Sequence, residues 1–257
     1  MPNLSLWLGV AVASLIMAWS LLQPGSRNIL DAHGLIVVLG GATAAMMIST
    51  PAAQIFGASR ALLRILGSSR LPAPSEIAAE IVRLSRRAQT EGGLLALRGE
   101  SPEFAEGFLQ RAISAAAACG ETDAARHILE LEIRRRRVAL QEDANVFRTL
   151  GTLAPMFGLM GTLLGMLKVL TNMTEPTKLG PAMALALSSA FVGIGLANFL
   201  CVPLAGQIRL LALRETQALE MIIEGVLAIA TNQPTYQVEL RMNAYLDVRP
   251  GAVREPA

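Results

Sequence analysis

FRTLGTLAPMFGLMGTLLGML, residues 147–167, is followed by a short polar turn and then by a second apolar run at residues 181–204. Each arm contains roughly 20 mostly apolar residues, and at about 1.5 Å per residue such a helix crosses a hydrocarbon core of about 30 Å. No residue carries a charge from Thr149 to Leu167 or from Pro181 to Gln207. The connecting turn, residues 171–180, is too short to be a domain, so the two arms are predicted to form a membrane hairpin.

Small residues recur three and four positions apart in the first arm, where Gly158, Gly161 and Gly165 are candidates for helix packing. In membranes this spacing lets helix backbones approach closely, and packing alone is a sufficient explanation for any single glycine. Pro155 and Pro203 each interrupt an apolar arm, where proline removes a backbone donor and clashes with the preceding turn. The hairpin is therefore predicted to pack against other helices and to bend.

The composition favours an integral membrane protein, since 53% of the 257 residues are hydrophobic and these residues are concentrated in runs. The net charge of +2 is too small to indicate a nucleic-acid partner. Cys119 lies in a polar region and Cys201 in an apolar arm, so neither a disulfide nor a thiolate metal site is predicted. His33 and His127 are too isolated to form a metal cluster.

Two further spans are predicted near the N-terminus. The run Leu4–Leu22 is long enough to cross the membrane, and it lacks the cationic start of a signal peptide, so we interpret it as a retained helix. The second run, Gly34–Ile48, is somewhat short for a span. Local thinning of the bilayer, or extension of the helix toward Phe56, would make up the missing length.

The region from Ala52 to Arg148 contains 14 of the 22 basic residues. Because basic residues near membrane ends are retained in the cytoplasm, both termini and this region are predicted to lie inside. Helices are expected at 121–145, with Ile128, Leu131 and Val138 as part of its apolar side, and at 208–229. The run Arg134–Arg137 invites a nucleic-acid interpretation, but a solvated face or a collar facing phospholipid is favoured.

These patterns predict an all-α integral membrane protein with four transmembrane helices and a large helical cytoplasmic insertion between the second and third. The predicted boundaries are 1–52 for the first two spans, 53–148 for the cytoplasmic region, 149–206 for the last two spans and 207–257 for a cytoplasmic amphipathic helix and tail.

The predicted spans contain no aspartate or glutamate, so the chain has no internal proton carrier at membrane depth. If the chain helps to conduct ions, a partner must supply the carboxylate. Four hydroxyl side chains are candidates for lining such a pathway, although each is equally well explained by a hydrogen bond to its own helix. They are Thr152, Thr162, Ser188 and Ser189.

Several motifs together resemble the MotA/PomA stator subunits of the flagellar motor, within the MotA/TolQ/ExbB ion-channel superfamily. They occur in the family's order and cover most of the chain: Ala154–Gly165, Asn172-Met173, Gly180–Ala184, Asn198–Pro203 and Glu220–Ile229.

The resemblance implies a bacterial inner-membrane motor subunit rather than an enzyme, with no cofactor beyond the transported H+ or Na+. Five such subunits would surround two copies of a MotB/PomB-like single-span protein that brings the ion-binding aspartate. Ion flow would turn the ring against a rotor protein such as a FliG-like component. Pro155 and Pro203 match the family's two prolines, whose implied role is to couple ion binding to helix movement.

The choice of ion stays open, with a slight preference for sodium. Thr162 and Ser189 resemble positions where sodium-driven members carry hydroxyls beside the aspartate, but the neighbouring threonine of those members is Ala190 here. The implied rotor-facing stretch also departs from the family. Flagellar members present a basic residue first and a glutamate last, whereas this chain has Thr90 and Glu91 first and Arg98 last.

The reversed charge order indicates either a compensating change in the rotor or a motor that drives another process, such as envelope energising in the TolQ/ExbB manner. It is also explained by exposed loop charges without a partner. A secondary transporter would require two similar halves with paired broken helices and buried charges, and neither is found in the sequence. No nucleophile–base pair or metal ligand set indicates an enzyme.

Overall fold

The computed structural model describes residues 8–9, 11–12, 15, 19, 32–67 and 71–247, which contain helices and turns and no β-strand. The all-α fold class is thereby confirmed. In chain order the elements are α1 (Ala32–Leu35), a π-helical segment (Ile36–Gly40), α2 (Gly41–Ser49), α3 (Ala52–Leu66), α4 (Pro74–Glu91), a 3₁₀ turn (Leu94–Leu97), α5 (Phe108–Cys119), α6 (Thr122–Thr171), α7 (Pro176–Gly195), a second π-helical segment (Leu196–Cys201), α8 (Val202–Ala230) and α9 (Thr235–Asp247).

The chain divides into two compact units. Unit 1 comprises Met1–Ser68 with Ala139–Leu210, and unit 2 comprises Ser69–Val138 with Leu211–Ala257. Helices α6 and α8 each contribute residues to both units. The predicted domain boundaries divide the chain at the expected membrane surface, whereas these units are defined by compactness. The predicted boundaries therefore stay predictions.

Within the described residues, two helical stretches are long and apolar enough to cross a membrane. They are Thr122–Thr171 and Thr177–Ala230, the latter running through α7, the second π segment and α8. A bent pair, Ile36–Ser49 with Ala52–Ile65, is a third candidate. The predicted first span, Leu4–Leu22, lies mostly outside the described residues, so the layout with four spans stays a prediction.

Prolines explain two helix boundaries. The end of α2 excludes one of two alternatives that the sequence left open, and the start of α7 differs from the sequence-based expectation. The second predicted helix does not extend toward Phe56. It ends at Ser49, and Thr50 is extended at φ −128° and ψ 129°, because the residue before a proline is disfavoured in helical conformation. Helix α7 begins at Pro176 rather than at Pro181, since proline is well suited to the first turn of a helix.

Unit 2 is built around a core from five helices. Ile77, Ile81 and Leu84 of α4 pack in one cluster with Phe108 and Leu109 of α5. The other helices contribute Leu129 and Ile133 from α6, Ile222 and Val226 from α8, and Val238 and Met242 from α9.

The buried side of α6 in unit 2 is not the predicted one. Ala125, Leu129 and Ile133 are buried at helical spacing, whereas Ile128, Leu131 and Val138 are 45–53% exposed. Both sets repeat at intervals that suit one helical face, so the sequence alone does not distinguish them. The prediction of the apolar side was therefore wrong in its choice of residues.

Replacement of Ile133 by Ala is expected to lower the free energy of unfolding by about 2–4 kcal/mol, because it removes buried methyl groups and leaves a cavity. Ile128→Ala, on the same helix, is the matched control and is expected to change stability by less than about 0.5 kcal/mol. Thermal unfolding of the full chain in detergent, followed by circular dichroism, measures both. Equal losses for the two variants would contradict this orientation of α6.

Candidate functional site

The helices α6 and α7 approach each other backbone to backbone within unit 1. A Cβ atom at Gly158 would lie 2.9 Å from the carbonyl oxygen of Ser189, and one at Gly165 would lie 2.9 Å from the Cα of Ala186. At Gly161 a Cβ would overlap the Ser189 side chain. The structure thus places the three candidate packing glycines along one line of contact with α7.

Helix α7 also contributes a glycine to its contact with α6. A Cβ at Gly193 would lie 2.6 Å from the carbonyl oxygen of Ala154, and Ala154 itself is fully buried with Val38 and Ala42. Contacts this short leave no room for a side chain. The α6–α7 hairpin is therefore held at a fixed, close separation.

Two glycines before α3 also make close approaches that the sequence pattern did not indicate. A Cβ at Gly34 would lie 2.9 Å from Ser189 Oγ and 3.5 Å from Ser188 Oγ, and one at Gly41 would overlap the ring of Phe157. A glycine at the start of a short apolar run gives no sequence signal for such a contact. Ser189 consequently lies where α1, α6 and α7 meet.

A cavity of ≈ 290 Å³ lies beside Ser189 in unit 1. Its polar lining residues include Ser189, Lys168 and Thr171, and its apolar lining comes from Val37, Gly161, Leu164, Leu167 and Leu185. Thr162 is not among the lining residues. The cavity offers hydroxyl oxygen and one cationic side chain but no carboxylate.

Candidate hydroxyls donate hydrogen bonds to carbonyls of their own helices. Thr152 donates to Arg148 O at 3.1 Å, Thr162 to Leu159 O at 2.6 Å and Ser189 to Leu185 O at 2.9 Å. Each oxygen keeps lone pairs that can accept a hydrogen bond or contact a cation. Ser188 and Ser189 are buried, at 2% and 1% exposed, whereas Thr152 is exposed.

The two candidate coupling prolines lie in different helical surroundings. Pro155 is inside the uninterrupted helix α6, and Pro203 is the second residue of α8, directly after the π segment Leu196–Cys201. A π turn pairs each N–H with the carbonyl five residues back, and such turns are frequent at functional sites. Leu196 packs against the buried cluster of Val38 and Ala154.

In the stretch at the end of α4 and after it in unit 2, one charged side chain is paired and another is not. Glu91 accepts a hydrogen bond from Arg87 Nε at 2.8 Å, and Thr90 donates to the carbonyl of Arg87. Arg98 is exposed and forms no ion pair with any other residue that the structure describes. Leu95, between them, is 62% exposed. Of the two predicted rotor-facing charges, Arg98 is therefore the one left uncompensated.

A charged network holds this stretch in place. Arg87 also bonds Glu100 at 2.6 Å, and Arg83 bonds both Glu80 at 2.7 Å and Glu100 at 3.2 Å. The hydrogen bond from Arg83 is the main reason that the pKa of the Glu80 carboxyl is lowered, although burial opposes the shift. The network ties residues 98–101 to α4 and so fixes where Arg98 is presented.

Gly193→Ala is expected to destabilise the chain by about 1–3 kcal/mol, because its Cβ meets a backbone atom rather than a flexible side chain. Gly180→Ala on the same helix is the matched control, since no atom lies within 4 Å of its Cβ position. That control should be neutral or stabilising by up to about 1 kcal/mol. Melting temperatures in detergent compare the two, and equal melting temperatures would contradict the close contact.

The chain has relatives of known family. A model of the MotA/TolQ/ExbB proton channel family matches residues 100–221. Chemotaxis protein PomA of Vibrio alginolyticus is 31% identical over 220 residues, covering 84% of each chain. Motility protein A of Cereibacter sphaeroides is 26% identical over 255 residues, covering 97% of this chain and 98% of the relative.

The fold is also that of a solved relative. The structure of the flagellar MotAB stator complex from Bacillus subtilis superposes with a TM-score of 0.84 at 24% identity, covering 93% of this chain and 94% of the matched chain. The resemblance seen in the sequence motifs is confirmed by these matches. The chain belongs to the MotA/PomA family, within the MotA/TolQ/ExbB proton channel family.

Proposed function

We propose that this chain is the stator ring subunit of an ion-driven rotary motor that powers flagellar motility, and that it forms an ion channel with a MotB-like partner. The observation that carries the proposal is the Ser189 cavity, which offers hydroxyl oxygen at the meeting of three helices but no acid. Membership in the MotA/PomA family supports the interpretation of this site, which lacks a carboxylate, as one part of a stator channel. The chain acts as a motor subunit and not as an enzyme.

The partner supplies the missing carboxylate. A cation beside Lys168 is repelled by its ammonium group, so a negative charge is needed before the cavity can hold H+ or Na+. A single-span partner with one membrane aspartate meets that need. The Bacillus subtilis stator complex, which contains MotA and MotB, is the model for this assembly.

The hydroxyl oxygens of Thr162, Ser189, Thr152 and Ser188 line the route to that aspartate. Hydroxyls that already donate to their own helix present lone pairs toward the route, and oxygen is the ligand that a hard cation prefers. This arrangement suits Na+ somewhat better than H+. Movement at Pro155 and at Pro203, beside the π segment, couples ion binding to the helices.

Thr162→Val is expected to reduce ion-driven swimming speed several-fold while leaving assembly intact, because valine keeps the shape and removes the oxygen. Thr43→Val is the matched control, since Thr43 is exposed and its hydroxyl also bonds its own helix, at Leu39 O. Swimming speed is measured against external Na+ at constant pH. Unchanged speed in Thr162→Val would remove Thr162 from the pathway.

Five copies form the ring, in the inner membrane, with both termini in the cytoplasm. The exposed apolar side chains Tyr236, Leu240 and Leu246 on α9 support an assembly, because a neighbouring copy would remove them from water. The native mass of the purified complex, expressed with and without its partner, tests this number. A monomer or dimer that never retains a partner would contradict the stator function.

The rotor-facing surface lies at residues 90–98 of unit 2. With Glu91 paired to Arg87, the surface presents the positive charge of Arg98 beside the exposed Leu95. Charge complementarity largely sets partner choice. The FliG-like rotor component that faces this stator is accordingly acidic where it meets Arg98.

Arg98→Glu is expected to reduce motility strongly, since it places like charges at this surface, whereas Glu91→Gln is expected to have a smaller effect. Arg135→Glu is the matched control because Arg135 is another exposed arginine of unit 2. Swimming speed is compared at equal protein level in the membrane. If Arg98→Glu and Arg135→Glu change swimming speed to the same extent, the rotor does not recognise Arg98.

A second candidate function is motor activity for a non-flagellar envelope or motility process. The reversed charge order at Glu91 and Arg98 is the observation that favours it. Deletion of the gene distinguishes the two. Loss of swimming with an intact envelope supports the flagellar function, whereas normal swimming with an envelope defect supports the alternative.

A further inference from the structure

Helix α3 is oriented very differently from the helix that precedes it. It is bent by 117° relative to the segment Ile36–Ser49. Its 15 residues extend about 22 Å, which is too short to cross a hydrocarbon core of about 30 Å. If α2 follows the membrane normal, α3 lies closer to the membrane plane than to the normal.

One side of α3 packs where α6 changes from charged to apolar. Ala58 is buried in a cluster with Met46 of α2 and Val146 of α6. Further along α6, Arg148 is the last charged residue before the uncharged stretch that begins at Thr149. Because that change marks the edge of the hydrocarbon region, α3 lies at the level of the membrane surface.

The opposite side of α3 combines large apolar and cationic side chains. Phe56 and Leu63 are 68% and 69% exposed, and Arg60 and Arg64 are exposed between and beside them. The sequence from Pro51 to Gly67 contains no acidic residue. Water is a poor environment for this face, whereas a lipid surface accepts both kinds of side chain.

A carboxylate, that of Asp143, lies on the protein side of α3. A Cβ at Gly57 would overlap the Asp143 side chain of α6, and Asp143 is attracted to Arg64. Arg60 is exposed and forms no ion pair with the other described residues. The outer face therefore keeps net positive charge.

We propose that α3 lies in the membrane surface and binds acidic phospholipid headgroups through Arg60 and Arg64, with Phe56 and Leu63 inserted into the acyl boundary. The apolar pair sets the depth of the helix, and the arginines select anionic over zwitterionic lipid. This binding does not depend on the ion-driven function or on a rotor.

Lipid binding by the full chain in mild detergent tests the proposal. Phosphatidylglycerol and phosphatidylcholine are titrated separately, and bound lipid per chain is counted by native mass spectrometry. Arg60→Gln/Arg64→Gln is expected to weaken phosphatidylglycerol binding roughly 5- to 30-fold at low salt, since each arginine at an anionic surface contributes up to about fivefold and Asp143 offsets part of the Arg64 charge. Phosphatidylcholine binding should not change. Added salt should weaken phosphatidylglycerol binding by the wild-type chain.

Two controls make the result specific. Arg86→Gln/Arg241→Gln removes the same charge from exposed arginines of unit 2 and should leave lipid binding unchanged, whereas Arg60→Lys/Arg64→Lys should restore most of it. Equal phosphatidylglycerol binding by wild type and Arg60→Gln/Arg64→Gln would overturn the proposal. So would a fall in native mass with lipid binding unchanged, which would assign this face to a neighbouring copy.

Discussion

Inside a lipid bilayer every backbone N–H and C=O must find its partner within the protein, and the membrane part of this chain depends on that constraint. It requires continuous helices, so the prolines are accommodated without interrupting the helical backbone. Pro155 remains inside α6, and Pro203 follows a π segment whose register avoids the spacing at which proline clashes. The helices then associate through small residues, since lipid provides no hydrophobic force between them.

That mode of association determines what the site can contain. With Gly158, Gly161 and Gly165 against Ser189 and Ala186, the space between α6 and α7 is filled by backbone and by short side chains. Such a contact leaves no volume for a long side chain at the glycine positions themselves. This packing is compatible with the proposed division of labour, in which this chain forms a close-packed channel wall and a partner supplies the acid.

The sequence predicted the features that depend on local pattern. Uncharged arms of spanning length, and glycines at three- and four-residue spacing, identified the hairpin and its contact line. Features that depend on tertiary neighbours were not predictable. Nothing in the sequence around Val38 or Leu196 signals a π segment. On α6, Leu129 and Leu131 are the same residue type two positions apart, and only the position of α5 and α8 decides which is buried.

The hydrogen bond from Ser189 to Leu185 has a kinetic consequence. A proton wire requires each hydroxyl to accept a proton on one side and release its own on the other. The Ser189 proton is held by a backbone carbonyl at 2.9 Å in a buried position. A relay would therefore need a side-chain rotation that breaks this bond at every passage. Such a hydroxyl is better suited to replacing part of an ion's hydration shell than to transferring protons.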